Sequence, residues 1–200
     1  MTSSIPTSTR PLEGLRVVDL TRALAGPYGT LLLAGLGAQV IKVEDPRGGD
    51  LARDNSPYVG RDGIVVERRH DDDISISHLT RARGKYGVTL NLKNEGASEV
   101  FADLVRNADI VMENFTAGTA DRLGVGYAAA RAVNPRIVYC SLSGFGADAP
   151  EGGKAMDVII QALSGAMYTS GEPGHPPVRI GVPIADMLAP VFAVIGILAA

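Results

Sequence analysis

The stretch "LRVVDLTRALAGPYGTLLLAGLGAQVIKVE", residues 15–44, decides the fold of this chain. It starts with a run of valine and leucine over 15–20, which is typical of a buried strand. A helix is predicted over 25–38, because Pro27 suits a first helical turn and a glycine lies near the end. Residues 39–44, "QVIKVE", predict a second strand. Strand, helix and strand within about 30 residues make a βαβ unit, which implies a parallel sheet.

The rest of the chain continues this alternation. We predict further strands and helices, in chain order, as a strand at 86–92, a helix at 94–108, a strand at 109–115, two short helical pieces within 117–135, a strand at 136–145, a helix at 155–168 and a last helix from about 186. Residues 45–80 show no periodicity and are predicted to be an irregular loop. Alternating elements favour a doubly wound α/β domain, whose ligands bind at the carboxyl ends of the strands.

Composition excludes several classes of function. The chain has 200 residues, a net charge of −3 and no basic stripe, which argues against nucleic acid as a partner. Its single cysteine, Cys140, excludes an internal disulfide and favours a reducing compartment such as the cytoplasm. The HDDD run, 70–73, is interpreted as a solvated loop, because consecutive residues cannot all face one ion. We therefore expect no metal site.

The two ends of the chain lead to separate expectations. Residues 1–10 lack the apolar core of a signal peptide and are predicted to be a flexible N-terminus. The apolar stretch that closes the chain is shorter than the roughly 20 residues that a membrane span needs. A helix that is apolar all round is normally buried. We therefore expect further sequence to cover it and the chain to be truncated.

One aspartate stands at the head of the helix predicted over 155–168. Apolar residues at helical spacing are predicted to face the core: Met156, Ile159, Ile160, Leu163 and Met167. Polar residues form a stripe beside them: Asp157, Gln161, Ser164 and Tyr168.

Asp157 has two interpretations. It can cap this helix, since an aspartate there accepts a backbone hydrogen bond. It can also be a nucleophile, since the positive end of a helix favours an ionised carboxylate, which can attack an activated acyl group. The residue pattern by itself favours the cap.

A basic loop provides candidate phosphate ligands. The stretch "RARGKYG", 81–87, places Arg81, Arg83 and Lys85 around a glycine just before a strand. Arginine and lysine suit phosphate oxygens. A solvated basic loop would have the same composition.

Several stretches, taken together and in order, resemble one family. They are "PLEGLRVVDLTRALAGPYGTLLLAGLGAQVIKVEDPRGGD", "RGKYGVTLNLK", "ADIVMENFTAGTADRLGVGY", "NPRIVYCSLSGFG", "MDVIIQALSG" and "GVPIADMLAPVFAVIGILAA". Over residues 11–200 the chain resembles the N-terminal part of the class III (family III) CoA-transferases, a family that also includes alpha-methylacyl-CoA racemase.

The resemblance implies a fold and a reaction. Residues 11–185 would form a Rossmann-like, CoA-binding large domain, and 186–200 would begin a linker helix towards a small domain. Two subunits would interlock as a homodimer. The substrates would be an acyl-CoA and a free carboxylic acid, and CoA would be a substrate, with no other cofactor. Asp157 matches the family's catalytic aspartate, which forms aspartyl anhydride and aspartyl-CoA thioester intermediates.

The resemblance also implies which residues bind CoA. They are Arg83, Lys85, Asn114, Phe115 and Arg122. Asp45 departs from the pattern, because the family often has arginine at that position.

Two alternatives stay open. Racemases of the family carry a histidine immediately before the matching aspartate, where this chain has Met156, and Asp186 matches their second acid/base aspartate. The loss of the histidine favours CoA transfer over racemisation, since moving an alpha proton needs two acid/base groups. The other alternative is a non-catalytic CoA-binding fragment, and we expect the 200 residues alone to be inactive.

Overall fold

A five-stranded parallel sheet forms the centre of the computed structural model, which describes residues 10–146, 153 and 155–200. The strands in chain order are β1 Arg16–Asp19, β2 Gln39–Glu44, β3 Tyr58–Gly60, β4 Gly63–Val65, β5 Ile74–Ser75, β6 Lys85–Thr89, β7 Ile110–Glu113 and β8 Val138–Ser141. The helices are α1 Ala25–Gly35, α2 Ile76–Ala82, α3 Ala97–Arg106, α4 Thr119–Arg122, α5 Tyr127–Val133, α6 Asp157–Leu163 and α7 Ile184–Ala199. The central sheet has the order β6-β2-β1-β7-β8.

The doubly wound α/β prediction is confirmed. From β1 the chain adds β2 and β6 on one side and β7 and β8 on the other, and every pairing is parallel. The direction of winding therefore switches between β1 and β7, and ligands of such sheets bind beside the switch. The predicted βαβ unit is also present, with β2 at the predicted bounds and α1 ending three residues early.

Helices cover both faces of the sheet. On one face, α1 and α7 pack on a cluster that includes Val17, Leu33, Val40, Met112 and Val194. On the other face, α3 and α5 supply Phe101, Val105 and Ala130 to a second cluster. Val100, on another side of α3, is 47% exposed. The buried residues of α3 are Ala97, Phe101 and Val105, which follow each other every four residues.

The prediction that 45–80 is an irregular loop is wrong. The segment contains a short 3₁₀ turn at Leu51–Asp54, most of α2, and the antiparallel sheet β4-β3-β5. These strands are two or three residues long, too short for alternation to appear in a sequence. The solvated-loop interpretation of the HDDD run is wrong for Asp73, which is 4% exposed and accepts hydrogen bonds from the backbone N–H groups of Arg69 and His70.

The apolar C-terminal stretch forms α7, which is only partly buried. Val194 and Ile197 pack into the cluster below α1, whereas Phe192 on another side is 69% exposed. Within the residues that the structure describes, no helix has the length and apolar character needed to cross a membrane. The predicted flexible N-terminus, 1–10, lies outside the described residues apart from Arg10.

Candidate active site

Asp157 is the first residue of α6, and its side chain caps a different helix. The N-cap position of α6 is occupied by Met156. The carboxylate oxygen Oδ1 of Asp157 accepts hydrogen bonds from the backbone N–H groups of Ala185, at 2.9 Å, and Asp186, at 3.3 Å. Both groups belong to the first turn of α7. The interpretation of Asp157 as the cap of its own helix is therefore wrong.

The second carboxylate oxygen of Asp157 is bound by a glutamine one turn along α6. Gln161 Nε2 donates to Asp157 Oδ2 at 2.7 Å. Residues four apart lie on the same side of a helix, which brings these two side chains together. Three N–H donors thus surround the carboxylate and fix its orientation.

The predicted orientation of α6 is partly wrong. Gln161 is 1% exposed, whereas Met156 and Leu163, both predicted to face the core, are 64% and 70% exposed. The polar stripe is also divided, since Tyr168 at its far end is 81% exposed. The N-terminus of α7 leaves backbone N–H groups that need acceptors, and the polar side of α6 provides them.

The helix α6 lies over the carboxyl end of the sheet. The loop that follows β8 contains Gly144, and a Cβ atom on this glycine would lie 2.3 Å from Ala155 Cβ and 2.9 Å from Ile160 Cδ1. Only a glycine permits so close an approach. This contact holds α6, which carries Asp157, against the loop that leaves the carboxyl end of β8.

Asp186 is the titratable neighbour of Asp157. Burial, together with the charge of Asp157, raises the pKa of the Asp186 carboxyl. The 16 residues of α7 direct the positive end of their helix dipole at Asp157. The positive end of this helix dipole and the Asp186 carboxyl thus both lie beside the Asp157 carboxylate.

Asn114 and Phe115 lie at the switch between β1 and β7. The Asn114 side chain accepts a hydrogen bond from the Arg22 N–H at 2.7 Å and donates to the Arg22 carbonyl at 2.8 Å. This bridges the loop after β1 to the loop after β7. The Phe115 N–H donates to buried Glu113, and the Phe115 side chain packs against the cluster below α3 and α5.

Lys85 belongs to a buried network of charges. Its side chain is 2% exposed, and its ammonium group contacts Asp19 Oδ2 at 3.1 Å, the Pro27 carbonyl at 3.0 Å and Thr30 Oγ1 at 2.7 Å. Burial lowers the pKa of Lys85, although the charge of Asp19 opposes this. The three N–H donors of an ammonium group are thus matched by three acceptors within the protein.

A second lysine completes the network. Lys42, 5% exposed, forms an ion pair with Asp50 at 2.9 Å and lies 3.9 Å from Asp19. Burial opposes ionisation of Asp50, but the charge of Lys42 and backbone hydrogen bonds outweigh it, and the pKa of Asp50 is lowered. Sequence reasoning missed this network. Its signal was Lys42 itself, a charge between the apolar residues Ile41 and Val43 of β2.

The two predicted arginines lie on the surface. Arg83 is exposed directly after α2. Arg122, at the end of α4, is exposed and donates to Thr119 Oγ1 at 2.8 Å. Arg122 also borders a cavity of about 440 Å³ between the loop after β6 and the loop after α4. The structure therefore does not gather the five predicted CoA-binding residues into one group: Asn114 and Phe115 are neighbours in the chain at the switch, and Arg83, Lys85 and Arg122 have separate surroundings.

Asp45 has a cation beside it. A cavity of about 400 Å³ opens at the carboxyl ends of β2 and β6, and Asp45 and Arg47 line it. Arg47 forms an ion pair with Asp45 at 3.1 Å, and this hydrogen-bonded guanidinium lowers the pKa of Asp45 to about 2.

In the described part of the chain, no group of three or more histidine, cysteine, aspartate or glutamate side chains is placed to hold a metal ion.

The comparisons with known proteins identify the family. Residues 12–200 match the model of CoA-transferase family III. The chain belongs to CoA-transferase family III, and the resemblance seen in the sequence is confirmed.

Relatives with assigned activities share about two fifths of their residues with the chain. An acetyl-CoA:oxalate CoA-transferase of Acetobacter aceti is 42% identical over 100% of this chain and 49% of its own length. A succinyl-CoA:mesaconate CoA-transferase of Haloarcula marismortui is 42% identical over 94% of this chain and 47% of its own length. The chain thus spans about half the length of these relatives.

Solved structures share the fold. A CAIB/BAIF family protein from Brucella suis has a TM-score of 0.84 and 37% identity, over 96% of this chain and 49% of that protein. The protein Rv3272 from Mycobacterium tuberculosis has a TM-score of 0.82 and 32% identity, again over 96% of this chain. The chain therefore corresponds in fold to about half of each of these proteins.

Proposed function

We propose that this chain provides the nucleophile of an acyl-CoA:carboxylate CoA-transferase. The reaction would move CoA from an acyl-CoA thioester to a free carboxylic acid. The observation that carries the proposal is the Asp157 carboxylate, which three N–H donors hold at the carboxyl end of the sheet. The relatives named above are CoA-transferases with different acids, which supports the reaction class.

The proposed reaction has two reversible halves. Asp157 attacks the thioester carbonyl, and the carbon–sulfur bond breaks to give a mixed anhydride and a CoA thiolate. The thiolate then attacks the aspartyl carbonyl, which releases the first acid as its carboxylate and leaves an aspartyl-CoA thioester. The acceptor carboxylate repeats the two steps in reverse. No metal or redox group takes part, and CoA is a substrate.

Binding of CoA is proposed through the residues that the resemblance identifies. Arg83 and Arg122 are exposed and can reach phosphate oxygens, whereas Asn114 and Phe115 shape the loop at the switch. Lys85 would act differently, by fixing α1 to the sheet below the site. We further propose an interlocked homodimer, a role of α7 as a linker helix towards a small domain, and a cytoplasmic location.

A racemase-like reaction is the second candidate, and Asp186 is the observation in its favour. Its carboxyl has a raised pKa beside Asp157, which suits a group that exchanges protons. Met156, where racemases carry a histidine, is 64% exposed and has no group that transfers protons. We therefore rank CoA transfer first.

Trapping of the covalent intermediate tests the proposed function. The experiment uses the full-length protein, meaning this chain with any further sequence that its gene encodes. Incubation with a panel of acyl-CoAs, a hydroxylamine quench and peptide mass spectrometry should reveal a hydroxamate on Asp157. Asp157→Asn should abolish it, whereas Asp121→Asn, at an exposed aspartate of α4, should retain it.

Other outcomes would point elsewhere. If acyl-CoAs bind but Asp157 stays unmodified, the proposed function is wrong. Deuterium uptake at the alpha carbon of a 2-methylacyl-CoA in heavy water, lost in Asp186→Asn, would then establish the racemase-like reaction. CoA binding without either reaction would indicate a non-catalytic CoA-binding protein.

A further inference from the structure

Ala23 has a backbone conformation that alanine rarely adopts. It lies in the loop between β1 and α1, and its φ of 65° falls in the left-handed region. Among the described residues, every other positive φ belongs to a glycine. The Cβ atom of alanine makes this region unfavourable, so the conformation persists only where surrounding contacts hold it. Strain of this kind is concentrated at active sites and ligand-binding loops.

A buried ion pair binds this loop at two points. Asp50 Oδ1 accepts a hydrogen bond from the Ala23 N–H at 2.8 Å, and Asp50 Oδ2 pairs with Lys42 at 2.9 Å. Lys42 also donates to the Thr21 carbonyl. The side chains of Asp50 and Lys42 are 2% and 5% exposed, so water hardly competes for these hydrogen bonds. The ion pair therefore fixes the backbone both before and after Arg22.

Two further side chains hold the same loop from the ends of β1 and β7. Asn114 binds both the N–H and the carbonyl of Arg22. Asp19 Oδ1 accepts a hydrogen bond from the Thr21 N–H at 2.9 Å. The N–H groups of three successive residues, 21–23, thus each have a side-chain acceptor. A loop bound in this way is pre-organised, because its conformation is set before any ligand arrives.

The loop lies at the ligand-binding edge of the sheet. It leaves the carboxyl end of β1, beside the switch between β1 and β7, where doubly wound sheets bind ligands. The first turn of α1 packs directly against it, because a Cβ atom on Gly26 would lie 2.3 Å from Thr21 Cβ. The conformation of Ala23 therefore determines how the start of α1 is presented to a ligand at this edge.

We propose that Asp50 is a positioning residue, which together with Lys42 holds Ala23 in the left-handed conformation and so shapes the loop against which acyl-CoA binds. This inference rests on the proposed function, but it does not depend on which side chain is acylated. Asp50 is 2% exposed, and both of its carboxylate oxygens are bound within the protein. It therefore acts through the loop and not on the substrate. A misplacement of about 1 Å in a positioning element slows a reaction by about 100-fold.

The test is a double-mutant cycle of Asp50→Asn and Ala23→Gly in the full-length protein. It measures kcat/KM for CoA transfer, with the acyl-CoA and carboxylic acid that the wild-type protein uses fastest. Asp50→Asn keeps the shape of the side chain but removes the charge that binds Lys42, and we expect kcat/KM to fall by about 10-fold or more. Glycine adopts the left-handed conformation without strain. Ala23→Gly in the Asp50→Asn background should therefore recover at least about 3-fold of that loss.

The matched control is Asp54→Asn, since Asp54 ends the 3₁₀ turn that Asp50 caps and its side chain is 74% exposed. It should keep the wild-type kcat/KM. Asp50→Glu keeps the charge but displaces the carboxylate, and it is the second variant if Asp50→Asn does not fold. The same loss of kcat/KM and the same recovery by glycine are expected for it.

Thermal unfolding and calorimetry with CoA identify the folded variants. If Asp50 served stability alone, a folded Asp50 variant would melt at a lower temperature but keep the wild-type kcat/KM. That result, or a loss of kcat/KM that Ala23→Gly does not recover, would overturn the inference. Absence of CoA transfer by the wild-type protein would contradict the proposed function, and this inference with it.

Discussion

Lys85, the first residue of β6, has its ammonium group in the protein interior, although the basic sequence around it is typical of a phosphate site. Replacing it by methionine would leave Asp19 with one lysine, Lys42, at 3.9 Å. Removing one partner of a buried ion pair is strongly destabilising. We expect Lys85→Met to lower the free energy of unfolding by about 3 kcal/mol.

Arg83 provides the matched control, because it belongs to the same basic sequence and is exposed. Arg83→Met should change the free energy of unfolding by no more than about 0.5 kcal/mol. Urea denaturation measures both values, and calorimetry with CoA measures binding. Equal stability of the two variants would show that the buried network does not stabilise the fold.

Glu113 should make stability depend on pH. Burial raises the pKa of the Glu113 carboxyl, although hydrogen bonds from Ser141 and the Phe115 N–H oppose this. Above the ordinary value of 4.5, the unfolded chain therefore loses this proton before the folded chain does. The folded state binds more protons in that range, so rising pH lowers the free energy of unfolding.

Glu113→Gln keeps the shape and removes the titration. Its stability relative to wild type should therefore increase as the pH rises above about 4.5 and level off beyond the folded pKa. Urea denaturation from about pH 4 to about pH 8 measures the difference. A difference that stays constant over this range would contradict the expectation.

At the scale of elements, the packing of α6 on the loop after β8 determines where Asp157 lies. Gly144→Ala would place a methyl group 2.3 Å from Ala155 Cβ, so one of the two segments must move. We expect a loss of about 1 to 3 kcal/mol in the free energy of unfolding and slower acylation of Asp157. Denaturation and the hydroxylamine assay measure the two effects.

Gly35→Ala is the matched control for this change. Gly35 is the exposed last residue of α1, and no heavy atom of the described residues lies within 4 Å of its added methyl group. Alanine also favours a helix over glycine. The control should be at least as stable as wild type. An equal loss of unfolding free energy in both variants would show that α6 does not pack tightly against the loop.

The helix α6 shows why the spacing of apolar residues did not predict the buried side of a helix. Its apolar residues have helical spacing, which predicted the helix but assigned the wrong side to the interior. The side that is buried carries Asp157 and Gln161, because the N–H groups at the start of α7 need acceptors. Those groups are about 28 residues away in the chain and leave no local pattern.

At the scale of the whole molecule, the local pattern of apolar residues was sufficient to predict the architecture of the central sheet. Apolar runs of strand length alternating with helical segments predicted the five parallel strands, and β2 was predicted at its observed bounds. The antiparallel sheet β4-β3-β5 was missed, since its strands are held by pairing between segments rather than by alternation of residues. The candidate site was predicted only as single residues, Asp157 among them, and Gln161 was given no role.

The sequence by itself determined the fold class and the family, because both depend on the order of apolar segments and motifs along the chain. Only the tertiary structure decided which groups bind each other. It placed Lys85 on Asp19, across 66 positions, and the Asp157 carboxylate on the N–H groups of α7. Buried charges and helix ends take whichever partner the packing brings near, and that proximity is a property of the folded chain.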